Sequence, residues 1–223
     1  MNRILGALLV LCIAVPAVAL AADTDPKKKI TAADQAKARA MLLKRTDFAA
    51  GWKKVPPSPD SDLICPGFNP DESDLTLTGE AESDFEHSQA VLFVGSASEI
   101  FATKEDAVKS WTRGDKPALA RCLGYFFKQG QTTKTTKVTI VSAGRMAFPK
   151  LAPRTTAFKV VARLAITNEG KTTTVPVTIQ LVAFGQGRGD SSMFAITPGA
   201  GIPIAELRAL GKLLVARLAA AKL

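Results

Sequence analysis

Few side chains in this sequence are suited to chemistry, and their spacing limits what that chemistry would be. The chain has a single histidine, His87, so a His-rich metal centre is excluded and any nucleophile–base pair would have to use this one ring. His87 follows Asp84-Phe85-Glu86, which makes a hydrolase using His87 with a nearby carboxylate one functional reading. No Gly-x-Ser-x-Gly elbow accompanies it, and no catalytic residue or cofactor is assigned. A second pattern is Glu80, Glu82, Asp84 and Glu86, which recur at every second position. On a strand that spacing projects the carboxylates from one face, where they repel one another unless cations oppose them. Three readings are open: a solvated face opposed by basic side chains of the same chain, a surface for a basic partner, or a Ca²⁺ face assisted by Asp71, Glu72 and Asp74. No EF-hand loop with its glycine is present.

Gly185-Gln186-Gly187-Arg188-Gly189 is glycine-rich but joins two strand patterns, so it lacks the helix N-terminus that a phosphate loop needs and reads as a turn. Turn chemistry also accounts for the integrin-type tripeptide Arg188-Gly189-Asp190.

The chain opens with a basic residue, an apolar run and Ala19-Leu20-Ala21, the layout of a secretory signal peptide over residues 1–21. A retained membrane anchor is the alternative. Cys12 would leave with the signal. Residues 22–30 read as a charged, disordered leader and residues 31–223 as one domain, long enough to bury a substantial core. Two cysteines then remain, Cys65 and Cys122. In a secreted or extracytoplasmic protein of the cell envelope they are expected to form a disulfide.

The formal charge is +9. Its distribution says more, because no Lys or Arg lies between Val55 and Thr103 while that stretch carries ten acidic residues. Nucleic-acid binding is disfavoured, since Tyr125 is the only tyrosine and the other aromatics sit in core patterns rather than among cations. The partner classes left are a small molecule, an envelope polymer or a protein, with peripheral contact to anionic surfaces through the basic remainder of the chain.

The elements that must position these residues follow from periodicity. Residues 103–127 form the central pattern: Val108, Trp111, Leu119, Cys122 and Phe126 share one arc, which predicts one helix kinked at Gly114 and Pro117 and capped by Thr103. An earlier helix starts at Thr31 and runs to about Lys44, followed by a short turn over residues 47–52. A Pro-rich loop spans residues 55–75. Strands are expected at residues 75–85, 90–101, 132–142 and 191–196. Between the last two lies a hairpin, in which turning at Glu169-Gly170 sets residue 164 opposite 175, 162 opposite 177, 160 opposite 179 and 158 opposite 181. A last helix opens at Pro203 with Leu207, Leu210, Leu214 and Leu218 as its stripe. The expected fold is α+β: an antiparallel sheet of about five to six strands packed with three helices and cross-linked by one disulfide.

This layout resembles the exported actinobacterial domains with a Mog1/PsbP-like fold, among them envelope lipoproteins and the extracellular sensor domains of membrane serine/threonine kinases. The resemblance rests on the signal segment, the run ending Ala49-Ala50-Gly51-Trp52, Cys65 before the first strands, the helix with Cys122, and the late meander and terminal helix. It implies a secreted or envelope protein, carries no catalytic motif and, without a kinase segment, carries over no membrane signalling; the leading expectation is a non-enzymatic, sensor-like binding domain.

Overall fold

The computed structural model describes residues 24–57, 65–87 and 92–223; the expected signal segment lies outside them. In chain order they form strand β1 (Lys27–Lys28), helix α1 (Ala32–Met41), a 3-10 turn (Arg45–Asp47), β2 (Trp52–Val55), β3 (Thr76–His87), β4 (Leu92–Phe101), α2 (Lys104–Gly114), α3 (Pro117–Gln131), β5 (Thr136–Arg145), β6 (Arg154–Asn168), β7 (Lys171–Gln186), β8 (Gly189–Pro198) and α4 (Ile204–Ala220). The strands make one sheet in the order β1-β3-β4-β8-β7-β6-β5, with β2 also pairing β3. Every pairing is antiparallel except the short one between β1 and β3.

The α+β class and the disulfide are as expected, but the described residues hold eight strands and four α-helices rather than five to six and three. The two extra strands are β1 and β2, whose sequences Lys-Lys and Trp-Lys-Lys-Val are too short and too charged to show an alternating pattern. β2 replaces the end of the turn expected near Trp52.

The extra helix arises because the central pattern is broken. Pro117 has no N–H to donate and disfavours helical geometry at the residue before it, and Lys116 is accordingly extended (φ −122°, ψ 147°). Proline therefore starts α3 at its first position instead of kinking one long helix. The connection is tied down by Asp115, whose carboxylate meets Arg145 Nη1 at 2.8 Å and accepts from Thr156 Oγ1 at 2.8 Å. The expected apolar arc loses its phase at this break: Val108 is exposed, whereas Ala107 is the buried residue of α2. Both predicted N-caps are present, with Thr31 accepting from Asp34 N at 3.1 Å and Thr103 from Asp106 N at 3.0 Å.

The β6–β7 hairpin has the expected register: Leu164 faces Val175, Ala162 faces Val177, Val160 faces Ile179 and Phe158 faces Leu181. Its turn works because Glu169 and Gly170 both take positive φ, 49° and 76°, the twist that two-residue hairpins favour. Strand alternation then splits the core between two faces. On one, α1 and α4 cover Phe85, Val94, Val182, Phe184, Met193 and Ala195, with Leu207, Leu214 and Leu218 as the buried stripe of α4. On the other, α3 covers Val138, Ala162, Leu164 and Val177 through Phe127, and α2 lies over β4 and β8. None of the described helices is long and apolar enough to cross a membrane.

Candidate functional site

Cys65 and Cys122 are bonded, with their Cα atoms 5.6 Å apart, and so clamp the loop ahead of β3 onto α3. The acidic part of that loop meets α2. Arg113 Nη2 donates to Asp74 at 3.1 Å, Lys109 Nζ approaches Asp74 at 3.4 Å, Arg113 also donates to the Asp71 carbonyl, and Ser110 Oγ donates to Glu72 at 2.7 Å. Hydrogen bonding from Arg113 holds the Asp74 carboxyl far below its usual range. Asp60 and Asp62 of the same stretch lie outside the described residues.

The carboxylate ladder on β3 does not meet basic side chains of the chain as a unit. Glu80 pairs with Lys28 of β1 at 2.8 Å, and Glu82 is exposed. Asp84 is buried, its Oδ1 lying over Gly95, where an added Cβ would come within 2.7 Å of it; Glu86 is half-buried opposite Lys53 of β2. Four positions sharing a parity thus have four environments. Among the described residues, no group of His, Cys, Asp and Glu is arranged to hold a metal ion.

A row of charge crosses the sheet instead, because register sets Glu80 beside Glu99, Glu99 beside Asp190, Asp190 beside Gly185 and Gly185 beside Arg154. Gly185 leaves the gap through which Arg154 Nη2 reaches Asp190 at 2.7 Å; a side chain there would strike both. Trp111 closes over this pair, with the Arg154 guanidinium 5.7 Å from its ring centroid. Burial pushes Asp190 up to about 6 against the opposing pull of Arg154. Glu99 is pushed up to about 8, first by the protein mass around its carboxyl and then by Asp190, Glu72, Glu80 and Glu82, although the residue as a whole is exposed.

The integrin-type tripeptide is consumed internally. Arg188 donates to both Asp34 oxygens, at 2.8 and 2.7 Å, and to the Phe101 carbonyl, while Asp190 takes Arg154. His87 sits at the end of β3 with its ring edge-on to Trp52, centroids 5.6 Å apart, and against Gly51, which closes that corner of the aromatic core.

The site that sequence reasoning did not find is an open groove of about 510 Å³ between α1, the 3-10 turn, β2 and the β3 edge. Its floor includes Ala81, Ser83 and Phe85; its rim carries Arg39, Lys44, Arg45 and Lys54, with Glu82 as the one acidic residue. Among the described residues no carboxylate forms an ion pair with those four cations.

The rim is held from behind. Leu43 N donates to Ser96 Oγ and its carbonyl accepts from Ser83 Oγ, both at 3.0 Å. Arg217 of α4 donates to the Leu42 carbonyl at 2.7 Å and to both oxygens of Asp47, which also accepts from Lys44 N at 2.6 Å. Burial would raise the Asp47 carboxyl, but Arg217 and the Lys44 N–H outweigh it and the net shift is downward. Asp47 is therefore an anion already engaged, and Lys44 and Arg45 are presented outward on a fixed backbone. At the sheet edge Gln35 pairs with both the N–H and the carbonyl of Glu80, at 3.2 and 2.7 Å, so α1 is fixed to the opposite wall. The arrangement can receive an anion without rearranging its scaffold.

No protein-family model matches the chain, and no curated protein matches it either.

Proposed function

We propose that this chain is an exported or envelope-associated binding domain with no catalytic chemistry of its own. The observation that carries this reading is the groove between α1 and the β3 edge: its walls are fixed by hydrogen bonds from the neighbouring elements, and among the described residues its four cations have no ion-pair partner. A scaffold cross-linked at Cys65–Cys122 suits an oxidising compartment, and the expected signal segment points the same way. Packing His87 into an aromatic corner suits a structural ring better than a general base.

Hydrogen exchange of the mature protein tests the reading. Soluble extract of the producing cells' envelope should slow exchange at residues 42–45 and 81–83 relative to buffer. Unchanged exchange at those amides, or a hydrolytic activity abolished by His87→Ala, would overturn it.

A further inference from the structure

Resting on that reading, we infer that the groove takes a ligand carrying several phosphate groups, held by Arg39, Lys44, Arg45 and Lys54. The argument is one of charge and geometry. Four cations against Glu82 leave an excess that a single monoanion would not satisfy, so the complementary ligand bears multiple negative charges in a short span. Two of the four are arginines, whose planar forks match tetrahedral oxyanions with paired N–H donors, and Lys adds point charges on flexible stems. Arg45 is already oriented, since its Nη1 donates to the Phe48 carbonyl at 3.0 Å and leaves further donors open. Gln35 and Arg39 lie one turn apart on α1, so the residue that fixes the wall also aligns the cation on it.

Basic charge alone does not single this site out, because Lys137 and Arg163 are also exposed, on neighbouring strands β5 and β6. Those two cations project from one strand pair, whereas the groove is walled by α1, the 3-10 turn, β2 and β3, and such walls focus the field of the cations on an anion entering between them.

The test uses inorganic tripolyphosphate, titrated calorimetrically into the mature, disulfide-bonded protein at low and at physiological salt. Wild type should bind, more weakly as salt rises. Arg39→Glu with Lys54→Glu should weaken binding by about tenfold or more, while Lys137→Glu with Arg163→Glu, the same change in net charge, should leave it within about twofold. All four positions are exposed, so both variants should melt with the wild type, and the smaller change Arg39→Ala with Lys54→Ala gives a second reading of the site. Phosphatidylglycerol vesicles separate the source: tripolyphosphate binding through the groove supports the inference whether or not vesicles also bind. Binding to vesicles alone, no binding, equal loss in both reversed pairs, or tighter binding of citrate than of tripolyphosphate would overturn it. Protection by envelope extract that persists with Arg39 and Lys54 reversed would remove the phosphate assignment while leaving the binding function standing.

Discussion

Arg217 and Asp47, 170 positions apart in the chain, form a two-pronged ion pair at 2.6 and 2.7 Å that fastens the last helix to the turn carrying the groove's cations. Asp47 has 8% of its side chain exposed and Arg217 21%, so removing the cation would strand a nearly buried carboxylate.

We therefore expect Arg217→Ala to destabilise the fold by about 3 kcal/mol in urea unfolding, and Arg217→Ala with Asp47→Ala together to cost less than the two changes summed. A loss under about 0.5 kcal/mol would mean that the pair is a surface contact of no consequence.

The disulfide encloses a separation of 57 residues, and cross-linking a loop of that length removes about 4 kcal/mol of chain entropy from the unfolded state on the loop-closure account. Non-reducing mass spectrometry should find Cys65 and Cys122 joined, and Cys65→Ser with Cys122→Ser should lower the melting temperature. Alkylatable thiols at Cys65 and Cys122 would contradict the bond.

Hairpin register can be probed on adjacent residues of β6. Ala162 is fully buried and Arg163 exposed, so Ala162→Asp should destabilise by about 3 kcal/mol or more and Arg163→Asp by under about 0.5 kcal/mol. Equal losses would place the wrong face inward.

Stability should be bounded on both sides in pH. Asp34 is lowered mainly by its hydrogen bonds from Arg188, and Asp47 is lowered once Arg217 offsets its burial; such groups contribute stability above their unfolded value of 3.8 and lose it as pH falls through their folded values. Glu99 and Asp190 act in the opposite sense. Raised to about 8 and about 6, they favour the folded state while protonated, and that contribution fades as pH rises through those values. The melting temperature should peak near about pH 5 and decline towards both pH 3 and pH 8. Glu99→Gln should flatten the alkaline limb and leave the acid limb in place; an unaltered alkaline limb would remove Glu99 from this role.

The parts of the fold legible in the sequence were those specified locally. Alternating Phe158, Val160, Ala162 and Leu164 with a Glu-Gly turn allow one register, and an even cysteine pair left after an expected signal segment pointed to one bond. The groove was not legible, because Arg39, Lys44 and Lys54 come from three elements and are gathered only when Trp52–Val55 pairs with β3. Nothing periodic marks a four-residue strand with two lysines at its centre. The carboxylate ladder shows the converse: parity placed Glu80, Glu82, Asp84 and Glu86 on one face, yet neighbours set by distant pairing gave each a different fate. Of the basic side chains in the same chain that could have opposed it, Arg113 serves Asp71 and Asp74 one loop earlier.

The central claim is that the groove at the β3 edge is where this domain binds, and amide NMR of labelled protein spanning residues 22–223 with added tripolyphosphate tests it most directly. The account predicts saturable shifts confined to residues 39–45, Lys54 and residues 81–85. Shifts centred on Lys137 and Arg163, or on the Glu99–Asp190 row, with the groove amides unmoved, would contradict it.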